Sequence, residues 1–199
     1  MATEIINERL IYPSYEIIGG EKIMSPAANL DHSGIIMRLG MIIGTHLSNN
    51  KDGYVYPDDV DVHFSDGSFF KPDLVVVMKS NEKILAGRKA VYGAPDMVVE
   101  VLSHSTRKKD LTIKKDVYEA QGVKEYWIID PRAKIVTVYL LSEGKYYLDD
   151  EYILFDEEDI KEAEFLKSQG EEIEIKHEIP VKILEGLTIP IEFVFSWGY

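Results

Sequence analysis

Cysteine is absent from this sequence, and so are long apolar runs. Without cysteine the chain has no disulfides, no thiolate metal site and no cysteine nucleophile. No apolar segment approaches the length of about 20 residues that crosses a bilayer. The first ten residues, MATEIINERL, lack the basic and apolar regions of a signal peptide. We therefore expect a soluble, cytoplasmic protein with no membrane partner.

Basic residues are also scarce. The chain carries 22 lysines and arginines against 35 aspartates and glutamates, a formal charge of −13 at pH 7. Proteins that bind nucleic acid usually present a basic surface to the phosphates, so such a function would depend here on a local patch or on metal ions. The densest basic cluster is Arg107, Lys108 and Lys109, which makes it the candidate for a contact with DNA phosphates.

Apolar residues, in contrast, are plentiful enough for a sizeable core. They make up 45% of the 199 residues, which predicts one domain over the whole chain, 1–199. Residues 1–13 are expected to form an N-terminal arm. Residues 156–178 form a highly acidic insertion that could hold one short helix, 157–169.

The spacing of apolar residues predicts many short strands and few helices. Tyr15–Met24 is expected to form two short strands around Gly19-Gly20, and Phe69–Met78 a single strand. A helix is predicted from Asn29 or Asp31 to about Ser48. Together these elements indicate an α/β or α+β fold, with a mixed central sheet flanked by helices.

The stretch Val91–Asp130 is predicted to be strand, helix, strand, and two charged residues in it are out of place. Glu100 interrupts the apolar run Met97–Leu102, which otherwise resembles a buried strand. Lys114 lies about 40° from Asp110 on a helical wheel, inside the apolar arc. That arc comprises Leu111, Ile113, Val117, Tyr118 and Ala120. A helix that only had to pack would carry an aliphatic residue at position 114, so we expect Lys114 to approach Glu100.

Asp73 repeats the pattern of Glu100, because it too is a carboxylate beside an apolar strand. Two acidic side chains that enter a buried sheet are costly unless something positive holds them. A divalent cation would do so, since hard carboxylate oxygens suit magnesium or manganese. Two carboxylates, a metal and the ammonium of Lys114 at one point could bind a scissile phosphate and stabilise an attacking hydroxide.

Several segments, taken in order, resemble the Uma family of restriction-endonuclease-like proteins, which belongs to the PD-(D/E)xK nuclease superfamily. The segments that carry the resemblance are YEIIGGEKIMSPAANLDH, KPDLVVV, DMVVEVLSHST and RKKDLTIKKDVYEAQGVKEYWIIDP. They cover roughly Tyr15 to Leu141, with a weaker similarity in LEGLTIPIEFVF. The resemblance implies a restriction-endonuclease-like core and a magnesium-dependent phosphodiesterase site acting on DNA.

The same resemblance implies roles for individual residues. Asp73 and Glu100 would be the two acids that hold magnesium, with the backbone carbonyl of Val101 as a further ligand. The lysine of the superfamily normally stands two residues after the second acid, where this chain has Leu102. By the resemblance to the Uma family, that lysine has moved to the following helix, where it corresponds to Lys114 here.

Two further residues match family positions. Glu21 lies in the GGE segment and His32 at the start of the first helix, and both could line the same cleft as catalytic residues. By analogy with enzymes that cut both strands of a duplex, a homodimer is expected.

Simpler explanations exist for each of these residues. Backbone N–H groups or Arg107 could satisfy Asp73 and Glu100, and Lys114 could pair with Asp110 one turn earlier. The basic cluster could be a solvated face, while Tyr126 and Trp127 are expected in the core. At the level of function, the alternatives are a catalytically silent nuclease fold that serves as a binding or assembly module, and a hydrolase of another phosphodiester such as RNA.

Overall fold

Two β-sheets and a short ribbon account for the strands of the computed structural model, which describes residues 15–18, 20–24, 29–58, 60–103 and 107–196. The predicted N-terminal arm, 1–13, lies outside the described residues. In chain order the strands are β1 (Tyr15–Ile18), β2 (Glu21–Met24), β3 (Gly53–Pro57), β4 (Val62–His63), β5 (Phe69–Phe70), β6 (Leu74–Met78), β7 (Val91–Tyr92), β8 (Met97–Val101), β9 (Glu125–Asp130), β10 (Ile135–Ser142), β11 (Lys145–Ile153), β12 (Glu178–Pro180) and β13 (Thr188–Pro190).

Helices connect and cover these strands. The α-helices are α1 (Leu30–Asn50), α2 (Arg107–Lys109), α3 (Lys115–Gln121), α4 (Glu157–Ser168) and α5 (Ile191–Phe195). A 3₁₀ segment spans Lys79–Arg88, and a π-helical turn, Asp110–Lys114, joins α2 to α3. We refer to α2, the π turn and α3 together as the 107–121 helix. Within the described residues, no helix has the length and apolar character needed to span a bilayer.

The larger sheet has six strands in the order β11-β10-β9-β8-β6-β3. Its only parallel pair is β8 with β9, the two strands joined by the 107–121 helix. All five residues of β8 are buried, because both faces of the sheet are covered at its centre. Mixed sheets with helices on their faces confirm the predicted fold class.

The smaller sheet has the order β2-β1-β5-β4-β7, and it corrects one prediction. Phe69–Met78 is not a single strand: β5 pairs with β1 in the small sheet, whereas β6 pairs with β3 and β8 in the large one. The break falls at Lys71-Pro72-Asp73, where proline has no N–H to donate to a ladder. Asp73 therefore lies at the junction of the two sheets.

Each face of the large sheet has its own apolar core. On one side α1 and the C-terminal residues 179–194 pack against alternate residues of β6, β8 and β9. On the other side the small sheet and Tyr118 of the 107–121 helix cover the intervening residues. Glu100 alternates with Val99 and Val101, which belong to the first core, so it points toward the 107–121 helix.

The helices predicted to end near Ser48 and to span 157–169 are confirmed. Asn29 caps α1 by accepting a hydrogen bond from the backbone N–H of His32 at 2.9 Å. In the acidic segment, Asp156 and Asp159 form a reciprocal capping box at the start of α4. That helix ends one residue before the predicted 157–169.

The 107–121 helix buries a polar stripe. Asp110, Lys114 and Tyr118 are the buried residues, at intervals of four, and Gly122 ends the helix with a left-handed φ of 91°. The expected burial of Lys114 is confirmed. The expected burial of Leu111, Ile113 and Ala120 is wrong, since all three are exposed. The π turn holds more residues per turn than an α-helix, which a wheel of fixed 100° steps does not represent.

Candidate active site

Asp73 and Glu100 lie side by side at the ends of two neighbouring inner strands of the large sheet: Asp73 directly before β6 and Glu100 near the end of β8. Antiparallel β6 and β8 pair Leu74 with Val99, and this register extends directly to Asp73 and Glu100. The Oδ2 atom of Asp73 accepts a hydrogen bond from the backbone N–H of Val101 at 2.6 Å. The N–H contact that the simpler explanation allowed is therefore present for Asp73.

Lys114 is buried among three carboxylates. Its Nζ lies 2.9 Å from Oε1 of Glu16, 3.1 Å from Oε1 of Glu100 and 3.4 Å from Oδ1 of Asp110. All four residues are at most 5% exposed. The expected approach of Lys114 to Glu100 is confirmed geometrically, and the i,i+4 pairing with Asp110 coexists with it. We call Glu16, Glu100, Asp110 and Lys114 the lysine cluster.

Two buried tyrosines extend the lysine cluster. The hydroxyl of Tyr118 donates to Oε1 of Glu100 at 2.6 Å, and that of Tyr126 donates to the backbone carbonyl of Asp110 at 3.1 Å. Tyr126 is fully buried, as is Trp127, so their predicted place in the core is confirmed. Tyr118 fixes one oxygen of Glu100, and Tyr126 fixes the π turn that carries Asp110 and Lys114.

Burial and mutual charge set the protonation of this cluster. Burial raises the pKa of Glu100 well above its ordinary value; Lys114 opposes the shift, whereas Asp110, Asp73 and Glu16 add to it. Burial alone would lower the pKa of Lys114, but the three carboxylates raise it instead, so the lysine stays protonated. Lys114 is thus a fixed positive charge, and burial favours the protonated form of Glu100.

His32 joins Asp73 from the opposite face of the sheet. Its Nε2 lies 3.1 Å from Oδ1 of Asp73, because the first turn of α1 ends above that carboxylate. Burial lowers the pKa of His32, but the hydrogen bond and charge of Asp73, with help from the charge of Asp58 and the carbonyl of Val101, outweigh it and raise the pKa. His32 therefore contacts Asp73 directly, one of the two carboxylates expected to hold a metal.

The oxygen ligands available around Asp73 and Glu100 suit a hard divalent cation. Asp73, Glu100 and the Val101 carbonyl are oxygen donors of the kind that magnesium prefers. Among the described residues, no group of three or more His, Asp or Glu side chains is arranged to hold a metal. The two carboxylates would therefore need the Val101 carbonyl or water to complete a coordination shell.

The remaining predicted residues lie outside the lysine cluster. Glu21 is exposed on β2, and the carboxylate that reaches Lys114 from the N-terminal hairpin belongs to Glu16. The backbone N–H of Lys71 anchors Glu16 Oε1 at 2.9 Å. The sequence signal for Glu16 was the same as for Glu100, an acid between apolar residues, Tyr15 and Ile17, in a short strand.

The basic cluster lies at the start of the 107–121 helix. Arg107 pairs with Asp130 at the end of β9, rather than with Asp73 or Glu100. Lys108 is exposed, and the side chain of Lys109 lies outside the described residues. The charge of Arg107, together with the backbone N–H groups of the following turn, holds the pKa of Asp130 below its ordinary value against the effect of burial.

Comparisons with known proteins agree with this architecture. No curated protein matches the chain. The crystal structure of a "putative nuclease belonging to DUF820" from Anabaena variabilis has a similar fold, with a TM-score of 0.67 and 19% identity over 93% of this chain and 91% of that one. The model of the Uma2 family, described as "Putative restriction endonuclease", matches residues 8–176. The predicted resemblance is confirmed, and the chain belongs to the Uma2 family.

Proposed function

We propose that this protein is a magnesium-dependent endonuclease that hydrolyses phosphodiester bonds in DNA, with manganese as a possible substitute. One observation carries the proposal: the ammonium of Lys114 lies 3.1 Å from Glu100, although it comes from a helix and not from the strand. Membership in the Uma2 family and the fold shared with the Anabaena protein support nuclease activity. The chain would act as one catalytic domain.

The lysine cluster and Asp73 contain more negative than positive charge. Four carboxylates, those of Glu16, Asp73, Glu100 and Asp110, face one ammonium and one imidazole. A divalent cation would neutralise much of this excess in a site of low dielectric. The alternative is a proton on Glu100, whose pKa burial raises. Metal and proton should therefore compete for this site.

Each residue has a proposed role in hydrolysis. Asp73 and Glu100 would hold the magnesium, with the carbonyl of Val101. When bound, the metal polarises the phosphate and makes its water a better nucleophile. Lys114 would stabilise the developing negative charge and orient the nucleophile. His32 would position Asp73, which it contacts at 3.1 Å.

Binding of the substrate would rely on local charge. Arg107, Lys108 and Lys109 begin the helix that carries Lys114, so they would supply local positive charge for DNA phosphates in a chain that is acidic as a whole. Cutting both strands of a duplex would need two such sites, which is the reason to propose a homodimer. A catalytic role for Glu21 stays a prediction.

The test is cleavage of supercoiled plasmid DNA with magnesium, manganese or chelator. Glu100→Gln keeps the size of the side chain and an acceptor for Tyr118, and it should lower cleavage at least 100-fold; Lys114→Met should do the same. The matched control is Glu125→Gln, a buried glutamate on the neighbouring strand, which should cut like the parent. Equal cutting by Glu100→Gln and the parent would refute the assignment.

A catalytically silent fold is the second candidate. It is favoured by the contacts of His32 and the Val101 N–H with Asp73 and of Lys114 and Tyr118 with Glu100, which already satisfy both carboxylates. Calorimetric titration with manganese separates the two, since a silent fold would release no binding heat. Parallel assays on duplex DNA, single strands and RNA would identify another phosphodiester substrate.

A further inference from the structure

A pocket of about 590 Å³ opens at the β3 edge of the large sheet, apart from the lysine cluster. Tyr54 and Tyr56 of β3 form one wall, and the 3₁₀ segment Lys79–Arg88 forms the other. Val60 and Val91 contribute an apolar floor. Neither the proposed catalytic roles nor the core accounts for this pocket.

Contacts within the protein hold the aromatic wall of this pocket in place before any ligand binds. The rings of Tyr54 and Tyr56 are nearly parallel, at 16°, with centroids 6.4 Å apart. The hydroxyl of Tyr54 accepts a hydrogen bond from Lys79 Nζ at 2.9 Å and donates one to Glu82 at 3.1 Å. Partly exposed tyrosine faces that are held in place suit a flat ligand, because a base can stack on them with little loss of entropy.

The charge of this pocket is opposite to that of the chain. Lys83, Arg88 and Lys89 line it, and Glu82 is the single acid among its lining residues. Glu82 is already paired with Lys79 at 2.5 Å. A net positive pocket on a chain with a charge of −13 favours an anionic ligand, and phosphate is the anion that accompanies a base.

Arg88 is held in an unusual backbone conformation. Its φ is 51°, directly after Gly87 with φ of 79°. A left-handed conformation costs a residue other than glycine on the order of 1 kcal/mol, so the fold accepts strain at this position. Arg88 and Tyr56 both line the pocket, so the strained turn supplies a cation to the same pocket as the aromatic wall.

Although the pocket is separate from the lysine cluster, one of its walls lies close to Asp73. Tyr56 pairs with Val75, two residues along β6 from Asp73, which corresponds to about 7 Å along a strand. Beyond Tyr56, the backbone N–H of Asp58 donates to the carbonyl of Asp73 at 2.8 Å. A nucleic-acid strand whose phosphate lay at Asp73 could therefore place a neighbouring nucleotide in this pocket.

We propose that this pocket binds an unpaired nucleotide of the strand being cut, with the base on Tyr54 or Tyr56 and the phosphate on Arg88 and Lys83. The inference rests on the proposed nuclease function and deepens it by naming the substrate class: nucleic acid with at least one unpaired base beside the scissile bond. A fully paired duplex would leave the aromatic wall without a ligand.

The test measures binding in chelator, so that no cleavage occurs. Fluorescence anisotropy compares an eight-residue oligothymidylate with an abasic strand of the same length, and thymidine monophosphate serves as a competitor. The parent should bind the thymidylate at least 5-fold more tightly, because stacking contributes about 1–3 kcal/mol per base. Tyr56→Leu should remove that preference, and a duplex of the same sequence should bind more weakly than the single strand.

Arg88→Gly removes the cation and the backbone strain together, so the variant should stay folded while its affinity falls 5-fold or more. Lys51→Gly is the matched control: Lys51 also has a positive φ, 59°, at the end of α1, and it does not line the pocket. Its affinity should stay within twofold of the parent.

Three results would refute the proposal that this pocket binds an unpaired nucleotide. They are no binding by the parent, equal affinity for abasic and thymidylate strands, and equal effects of Arg88→Gly and Lys51→Gly. If thymidine monophosphate binds as tightly as the oligonucleotide, the ligand is a free nucleotide, and the proposal that the pocket binds a nucleotide within a nucleic-acid strand is refuted. Base-dependent binding without cleavage in magnesium would instead refute the nuclease function and leave a nucleic-acid-binding pocket.

Discussion

Glu100 and Glu125 are buried glutamates on the two parallel strands at the centre of the large sheet, yet their surroundings differ. Glu125 receives only neutral N–H donors: the indole of Trp127 at 2.7 Å and the backbone of Lys182 and Ile183 at 3.2 and 2.8 Å. It joins the C-terminal segment to the sheet. Its surroundings are those of a structural residue.

Glu100 receives partners that are themselves titratable. They are the ammonium of Lys114 and the phenol of Tyr118, with Glu16 and Asp110 on the far side of the lysine. Burial raises the pKa of both Glu100 and Glu125. Three hydrogen bonds oppose the shift at Glu125, where Asp149 adds to it; at Glu100 the charge of Lys114 opposes the shift and three carboxylates add to it. A buried acid surrounded by ionisable groups, rather than by fixed N–H donors, is the better indication of a chemical site.

The largest expected effect comes from Lys114→Met without metal. The change leaves Glu16, Glu100 and Asp110 buried around an apolar side chain, so the free energy of unfolding should fall by about 3–5 kcal/mol. Urea denaturation at pH 7 measures it. Lys124→Met is the matched control, because Lys124 pairs with buried Asp96 at 2.7 Å but is itself 61% exposed.

The control should cost about 1 kcal/mol or less, because Lys124 is exposed and the buried Asp96 keeps its hydrogen bonds from the Met78 backbone N–H and from Asn81 Nδ2. Equal losses in Lys114→Met and Lys124→Met would mean that the three carboxylates are not confined around the lysine as described.

Replacing Glu100 and Glu125 separately with glutamine tests whether their roles differ. Glu125→Gln leaves one oxygen for three donors and should lower the free energy of unfolding by about 1–2 kcal/mol, while manganese affinity stays that of the parent. Glu100→Gln should lose manganese binding but keep a stability near the parent's, because a raised pKa already favours its uncharged form. Denaturation and calorimetry on both variants measure the two effects, and the reverse pattern would exchange the assigned roles.

The smallest effect concerns His32 and pH. Its pKa is raised in the folded protein, so folding favours the protonated ring. The resulting stability is fully present below pH 6.5 and is lost as the pH rises through the folded pKa. His32→Asn should therefore lie furthest below the parent in stability near pH 6 and approach it in more alkaline solution, in chelator throughout. If the difference between the two proteins does not change with pH, the ion pair with Asp73 contributes nothing.

Asp73→Asn provides the partner measurement. Once Asp73 has lost its charge, adding His32→Asn should cause no further pH-dependent change, because both substitutions remove the same pair.

Local patterns were enough for the central strand–helix–strand unit. Three features of this unit each act within one element: the apolar runs of β8 and β9, the four-residue spacing of Asp110, Lys114 and Tyr118, and Gly122 at the end of the helix. A short window of sequence therefore contains their cause. The same window predicted that Lys114 would face the sheet and approach Glu100, and it does. Leu111 and Ile113 were misplaced because the π turn holds more residues per turn than the α-helix that a wheel of fixed steps assumes.

By itself, then, the sequence determined the mixed fold, the acid in the buried strand and the lysine on the inner side of the following helix. Only the tertiary structure decided that Glu16 completes the lysine cluster, that His32 reaches Asp73, and that Phe69–Met78 divides between two sheets. These contacts join segments that are far apart in the chain, and their energies arise from burial and charge that exist only after the strands have paired. No periodicity within a single segment could contain them.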